Sequence, residues 1–250
     1  MFISLTLIPA TSCVSSFQED TPFGITPTKA GYIPARMALV PCMTWPERSS
    51  RIKGQRLGVA GPEETKKLCA ELDLYIASGF ENQPFMKGLS AKFVEKLYTQ
   101  AGMSPAVNLA IAQNWQRNPQ DCAECTTLAA FYIASIAPRK EWSVWLSEFS
   151  RATKGTDAIL IPLILHHAIA QENERGLTIA RRSAFVAMLL VDTTNGDLIW
   201  SGGRESDVVT KAYDEDPEAK KLQPPSQEEL NRRLFTDALW LGFPGRQVYK

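Results

Sequence analysis

The sequence predicts a mixed α/β (α+β) fold: a mainly antiparallel sheet of about four or five strands packed against several helices. Two long apolar segments, 158–165 and 177–191, are rich in β-branched and large apolar side chains and too continuous for one face of a surface helix. Asn195-Gly196, which readily takes the positive φ angles of a tight reversal, separates the second segment from the returning Leu198-Ile199-Trp200. The middle of the chain instead repeats its apolar residues at helical spacing, and so supplies the helices.

With 250 residues, 44% hydrophobic and 22% charged, the chain can bury one sizeable core. One domain is expected over residues 36–250. Lys plus Arg and Asp plus Glu number 27 each, so no global positive field gathers phosphates, and nucleic acid is not an expected partner. The apolar runs fall well short of the roughly 20 residues a bilayer-spanning helix requires. At the start, Phe2 to Ile8 is apolar and Ala10-Thr11-Ser12 places small residues before Cys13. The pattern resembles a relaxed lipobox, with Ala10 where Leu is usual and no basic residues ahead of the apolar run. It implies a signal remnant over residues 1–13, cleavage before Cys13, and acylation of that thiol, making the lipid bilayer a partner. Residues 14–35, rich in Ser, Thr, Pro and Gly, form a flexible tether.

The domain itself begins with Met37 to Cys42, a short strand that Pro41 marks as an edge or a strand end. A helix opens at Pro62 with Glu63 and Glu64 in its first turn. It buries Leu68, Cys69, Leu72, Tyr75 and Ile76, and stops near Gly79. Ser90 caps a second helix that turns Phe93, Val94, Leu97 and Tyr98 inward and ends at Gly102. A third starts at Ser104-Pro105, presents Val107, Ile111 and Trp115, and stops at Asn118-Pro119. Two more cover 121–136 and 138–152, the latter presenting Trp142, Trp145, Leu146 and Phe149. From Asp157 the period changes to a meander of three antiparallel strands, closed by a loop near Glu172 and by the Asn195-Gly196 turn, with a last strand at 197–203. The strand from Met37 adds a fourth at the edge. A solvated loop over 213–225 leads to a final helix at Ser226, where Glu229 completes a capping box. Its stripe is Leu230, Leu234, Phe235, Ala238 and Leu241.

Candidate chemistry is sparse. Besides Cys13, the cysteines Cys42, Cys69, Cys122 and Cys125 permit three pairings in an oxidising compartment. Cys122-Ala-Glu-Cys125 has the spacing of a redox or half-zinc motif but lacks the strand a thioredoxin-like site has before it. The two histidines, His166 and His167, are adjacent in a strand, so their rings point to opposite faces and cannot share a metal. Glu172, Glu174 and Asp192 lie near strand ends, and no spacing brings them within reach of one another. The common nucleotide, zinc-hydrolase and serine-hydrolase motifs are missing, so a non-enzymatic protein without cofactor or metal is expected.

The order strand, helix, meander, helix, with Val191-Asp192-Thr193-Thr194-Asn195-Gly196-Asp197-Leu198-Ile199-Trp200-Ser201 on the second hairpin, resembles the domain of CsgG-like and PelC-like envelope lipoproteins and of LpoB-type activators. Thr156-Asp157-Ala158 before the first long strand and the segment from Gly88 to Leu97 fit the same pattern. Each matching residue has a physical reason. Asp192 accepts backbone bonds as the strand leaves the sheet, Gly196 takes positive φ, and Trp200 covers a large area of the helix layer. Residues 103–153 depart from the pattern as a helical insertion, and no amphipathic hairpins of the pore-forming kind stand out. The resemblance implies a non-enzymatic lipoprotein, anchored to the outer membrane on its periplasmic side. It would assemble with itself or an envelope partner in export or cell-wall processes. The alternative is a periplasmic redox or metal-handling protein centred on Cys122 and Cys125.

Overall fold

The computed structural model describes residues 32–44, 60–81, 87–100, 128–213, 216 and 222–246. In chain order they form β1 (Arg36–Leu39), β2 (Met43–Thr44), α1 (Pro62–Glu81), β3 (Lys87–Leu89), α2 (Ala91–Gln100) and α3 (Leu128–Phe131), which runs into a π-helical turn at Tyr132–Ile136. There follow α4 (Lys140–Ala152), β4 (Ala158–Glu174), β5 (Leu177–Asp192), β6 (Leu198–Tyr213), α5 (Gln227–Leu234) and a 3₁₀ turn at Asp237–Trp240. The architecture is mixed α/β around a six-stranded sheet of order β3-β1-β4-β5-β6, with β2 pairing β4 beyond the end of β1.

The expected meander is present, and it is longer than its apolar runs. β4 pairs antiparallel with β5 from Ala158↔Asp192 to Glu174↔Leu177, and β5 with β6 from Val191↔Leu198 to Leu177↔Tyr213. β6 therefore passes the expected end at Gly203 and runs ten residues further, through Arg204-Glu205-Ser206-Asp207. Those charged residues follow the ladder because β5 offers an unpaired edge there. Val208-Val209-Thr210 supplies the β-branched side chains that suit it. The strand from Met37 is not at the edge: β1 lies between β3 and β4, parallel to both. Pro41 falls just beyond its last paired residue, where no ladder bond is lost.

Helices cover both faces of the sheet at the end where β4 begins. On one face α1 and the C-terminal elements pack Leu68, Leu72, Ile76, Leu230, Leu234, Leu239 and Trp240 against Leu160, Val186, Met188 and Leu190. On the other, α2, α3 and α4 pack Val94, Phe131, Trp142, Trp145 and Phe149 against Ile159, Ile161, Leu189 and Val191. Burial on both faces is why β5 reads as a continuous apolar run over 184–191 instead of an alternation. The described part of the expected insertion, 128–152, shares one of the two helical layers with α2. Ser90 caps α2 by accepting from Phe93 N, and Ser226 with Glu229 forms the expected capping box. The final stripe keeps its phase through Phe235, which is half-buried and stacks on Tyr75. Helix α5 ends at Leu234 with Phe235 as its cap, so Ala238 and Leu241 are exposed while Leu239, Trp240 and Phe243 turn inward. Phe93, expected inward, is likewise exposed; Val94 is the buried residue of that face, with Tyr98 half-buried against Trp145 and Leu97 half-buried beside it.

The two histidines separate as their strand positions require. His167 faces α1, where Nδ1 lies 3.2 Å from Thr65 Oγ1, while His166 on the other face lies 3.4 Å from Ser183 Oγ. Beside His167 the buried Arg182 ties three elements together, donating to Pro225 O (2.8 Å), Gln227 Oε1 (3.2 Å) and Glu64 Oε1 (3.4 Å). Burial, reinforced by the Arg182 charge and opposed by Glu64, pushes His167 down to about 4. The folded chain refuses a proton that the unfolded chain accepts, so this contribution to stability is present at neutral pH. It is lost as pH falls from about 6.5 through about 4. Denaturant titrations at pH 7 and pH 4 should show wild type losing roughly 3 kcal/mol more than His167→Gln. Equal losses in both proteins would remove His167 from the account.

Candidate functional site

The residues that carried the sequence motif gather at the covered end of the meander. Asp157, just before β4, uses Oδ2 to accept from Ala35 N (3.0 Å) and Arg36 N (2.9 Å), which fixes the entry of β1. The Arg36 guanidinium in turn donates to the carbonyls of Thr153 and Lys154 at the end of α4. Where β5 leaves the sheet, Thr193 N donates to Asp157 O (3.0 Å), and its hydroxyl donates to Thr156 O. Asp192 closes its own turn, Oδ1 accepting from Thr194 N at 2.7 Å and its carbonyl accepting from Gly196 N at 2.9 Å. Asn195 Oδ1 accepts from Asp197 N at 3.0 Å.

Gly196 sits at φ 76°, the left-handed region where a side chain is strained. It is also pressed against the helices: a Cβ there would come within 3.3 Å of Leu146. Its carbonyl accepts from Tyr132 Oη (2.6 Å), and Tyr132 Oη accepts from Trp142 Nε1 (2.9 Å). This chain of bonds is sealed in the core, and burial pushes the Tyr132 hydroxyl well above the ordinary phenol range. The hairpin turn is therefore seated on α4 and the π-helical turn by a polar relay inside an aromatic stack of Trp142, Trp145 and Phe149.

Four residues after Gly196, Trp200 performs the matching task on the opposite face. It is fully buried, donates Nε1 to Leu241 O at 3.1 Å, and meets Phe243 edge-on at 4.9 Å. Its indole lies over Gly202, two residues along the strand on the same face, where a Cβ would stand 2.3 Å from Trp200 Cζ2. Asp192, Gly196 and Trp200 together thus lock one strand junction to both helical layers.

Other residues singled out by sequence do not join this junction. Glu172 pairs opposite Ile179, near the other end of the β4–β5 hairpin, and Glu174 opposite Leu177; Asp192 ends β5, roughly 40 Å along the strand. Cys13, Cys122 and Cys125 lie outside the described residues, as does the helix expected over 104–118. Cys42 and Cys69 are joined in a disulfide that links the segment after β1 to α1. Sequence reasoning passed over Gly202, the Tyr132–Trp142 relay and Asp73. Period-two spacing from Trp200 points to Gly202, and helical spacing from Cys69 points to Asp73, whose carboxylate oxygens each accept from Cys42 N at 3.1 Å. Burial, opposed by that amide and reinforced by the Glu95 charge, pushes Asp73 up to about 7. Among the described residues no three His, Cys, Asp or Glu side chains are grouped to hold a metal ion. None of the described helices is long and apolar enough to cross a membrane.

No protein-family model matches the chain, and no curated protein matches it. Among solved structures it is similar to lipoprotein GNA1162 from Neisseria meningitidis, at 15% identity and TM-score 0.35, over 69% of this chain and 80% of that one. It is similar to a PelC dodecamer from Paraburkholderia phytofirmans, at 9% identity and TM-score 0.35, over 86% and 94% of the two chains. The LpoB C-terminal domain from Salmonella enterica aligns at 13% identity and TM-score 0.29, over 71% and 86%.

The Trp200–Gly202 contact yields a thermodynamic cycle. Trp200→Ala should lower unfolding stability by roughly 3–5 kcal/mol. Gly202→Ala should lower it by about 1–3 kcal/mol through overpacking. The double variant should be no worse than Trp200→Ala alone, because the added methyl then has room. Additive losses in urea titrations would show that the two residues do not share a contact.

Proposed function

We propose that this chain is an exported envelope protein, held by acylated Cys13 at the periplasmic side of the outer membrane. It works there as a non-enzymatic assembly or accessory component in export or cell-wall processes. The observation that carries the reading is the Cys42–Cys69 disulfide, set between the first strands and the principal helix. Such bridges form and persist in oxidising compartments and are rare where glutathione and thioredoxin keep thiols reduced. The small residues before Cys13 supply the route to a lipid surface, and residues 14–35 supply reach from it. The junction supports a mechanical role: the carboxylates of Asp157 and Asp192 are engaged by backbone N–H groups, where they fix chain geometry. Association with a second copy or an envelope protein belongs to the same reading.

Expression of the native gene in a diderm host, followed by fractionation and intact-mass spectrometry, tests it. The expected product sits in the outer-membrane fraction, begins at Cys13 and carries acyl chains, while Cys13→Ser moves to the soluble periplasm with the Cys42–Cys69 bridge intact. A cytoplasmic product with both thiols reduced would defeat the whole proposal. An oxidised, unacylated wild-type product in the soluble periplasm would defeat the anchor alone.

A further inference from the structure

The parallel ladder along β4 has a break in it. β1 pairs with β4 as far as Leu160, whose carbonyl also accepts from Val40 N, and β2 resumes pairing only at Leu163, so Pro162 stands opposite the interval where the chain passes through Pro41 and Cys42. Within this interval the Cys42 amide has left the ladder, and it donates to the Asp73 carboxylate of α1. Asp73 lies one helical turn beyond Cys69, the other half of the disulfide, so α1 places the acid and the buried sulfur on one face. Helix and sheet are therefore joined twice at one point, by the S–S bond and by the amide–carboxylate contact.

The two bridged residues differ in exposure. Cys42 is half-buried, whereas Cys69 is 8% exposed beside the fully buried Leu68 and Leu72. An incoming thiolate thus has its access at Cys42, and the sulfur that must leave is Cys69. A thiolate formed in apolar surroundings is disfavoured unless a proton arrives with it.

We propose that Cys42–Cys69 is an exchangeable disulfide that reacts with external thiols, with Asp73 as the acid that protonates the departing Cys69 sulfur. The thiolate of a dithiol reductant attacks Cys42 Sγ. A mixed disulfide forms there as the Cys42–Cys69 bond breaks, the electron pair leaves on Cys69 Sγ, and the Asp73 proton follows it. The second thiolate of the reductant then attacks its own sulfur in the mixed disulfide, Cys42 leaves and takes a proton from water, and Asp73 is reprotonated by solvent. Two electrons and two protons enter the protein, and the reductant departs as a disulfide. Burial keeps a substantial fraction of Asp73 protonated near neutral pH, and the Glu95 carboxylate on α2 adds to that tendency. This assignment goes beyond the envelope role and stands without the lipid anchor.

The test reduces the full oxidised chain with dithiothreitol across pH 5.5–8.5, with Cys42 and Cys69 quantified by alkylation and peptide mass spectrometry. Rates are divided by the thiolate fraction of the reductant. For wild type the corrected rate should fall roughly tenfold between pH 6 and pH 8, since the acid form of a group titrating near 7 falls by that factor. Asp73→Asn, which keeps an acceptor for the Cys42 amide, should give a flat profile at the slow level. Glu95→Gln, a surface change, should move the wild-type midpoint to lower pH. A flat wild-type profile, or a tenfold fall retained in Asp73→Asn, overturns the proposal. Should Asp73→Asn not fold, an unmoved midpoint in Glu95→Gln overturns it.

Discussion

Burial of both faces of β4 and β5 at one end of the sheet is the constraint from which the rest of the structure follows. A strand covered on both sides must be apolar at every position, and it exposes no side chain that could correct a slip in register. Helices are then required above and below. Each large aliphatic side chain placed between them contributes about 1.5–3 kcal/mol relative to exposure. That gain is available only if the junction where the strands enter and leave the double-covered zone holds its shape. The carboxylates of Asp157 and Asp192 and the hydroxyl of Thr193 serve this end by satisfying or engaging backbone groups that the ladder no longer pairs.

The same constraint explains why one hairpin carries the sequence signature. The β5–β6 turn lies between two helical layers and must fit both. Gly196 lets the backbone approach Leu146 and hand its carbonyl to Tyr132, and Trp200 then fills the space under the C-terminal segment. Either residue read alone is an ordinary turn glycine or core tryptophan. Their separation by four positions, in a hairpin whose β5–β6 pairing shifts register between Leu190 and Val191, sets the turn and the indole against opposite layers. Gly202 completes the arrangement because an indole laid flat along its own strand needs an absent side chain two residues on.

Much of this was legible in the sequence where local chemistry and tertiary environment agree. The apolar runs, the Asn195-Gly196 turn, the Ser90 and Ser226 caps and the aromatic face of 142–149 belong to that class, since each is determined by residues within a few positions of one another. The misses arise where a distant partner decides. β6 outran its apolar start because β5 offered an edge. Leu241 turned outward because α5 stopped at Leu234 and the chain after its Phe235 cap reset the helical phase. The placement of β1 inside the sheet depends on β3, a three-residue strand with too little pattern of its own to announce itself. Cysteine pairing was open to three solutions until the approach of α1 to the end of β1 brought Cys69 to Cys42.

The break in the parallel ladder shows how a local concession acquires chemical consequences. Proline at 162 cannot donate to a neighbour and would leave an unpaired carbonyl in an unbroken central strand, so the sheet accommodates it where the opposing chain is itself interrupted by Pro41. The interruption frees the Cys42 amide, which in a partly buried setting takes the Asp73 carboxyl as its acceptor. A carboxamide would serve that amide at less cost in desolvation than a carboxylate. Asp73 instead places an ionisable acid at the half-buried edge of the core, drawn towards its neutral form by burial against the pull of the Cys42 amide, with Glu95 adding to the effect. A helix that needed only to be fastened at this point already had a disulfide to fasten it. The acid adds what a fastening lacks, an ionisable group on the amide of a bridged cysteine.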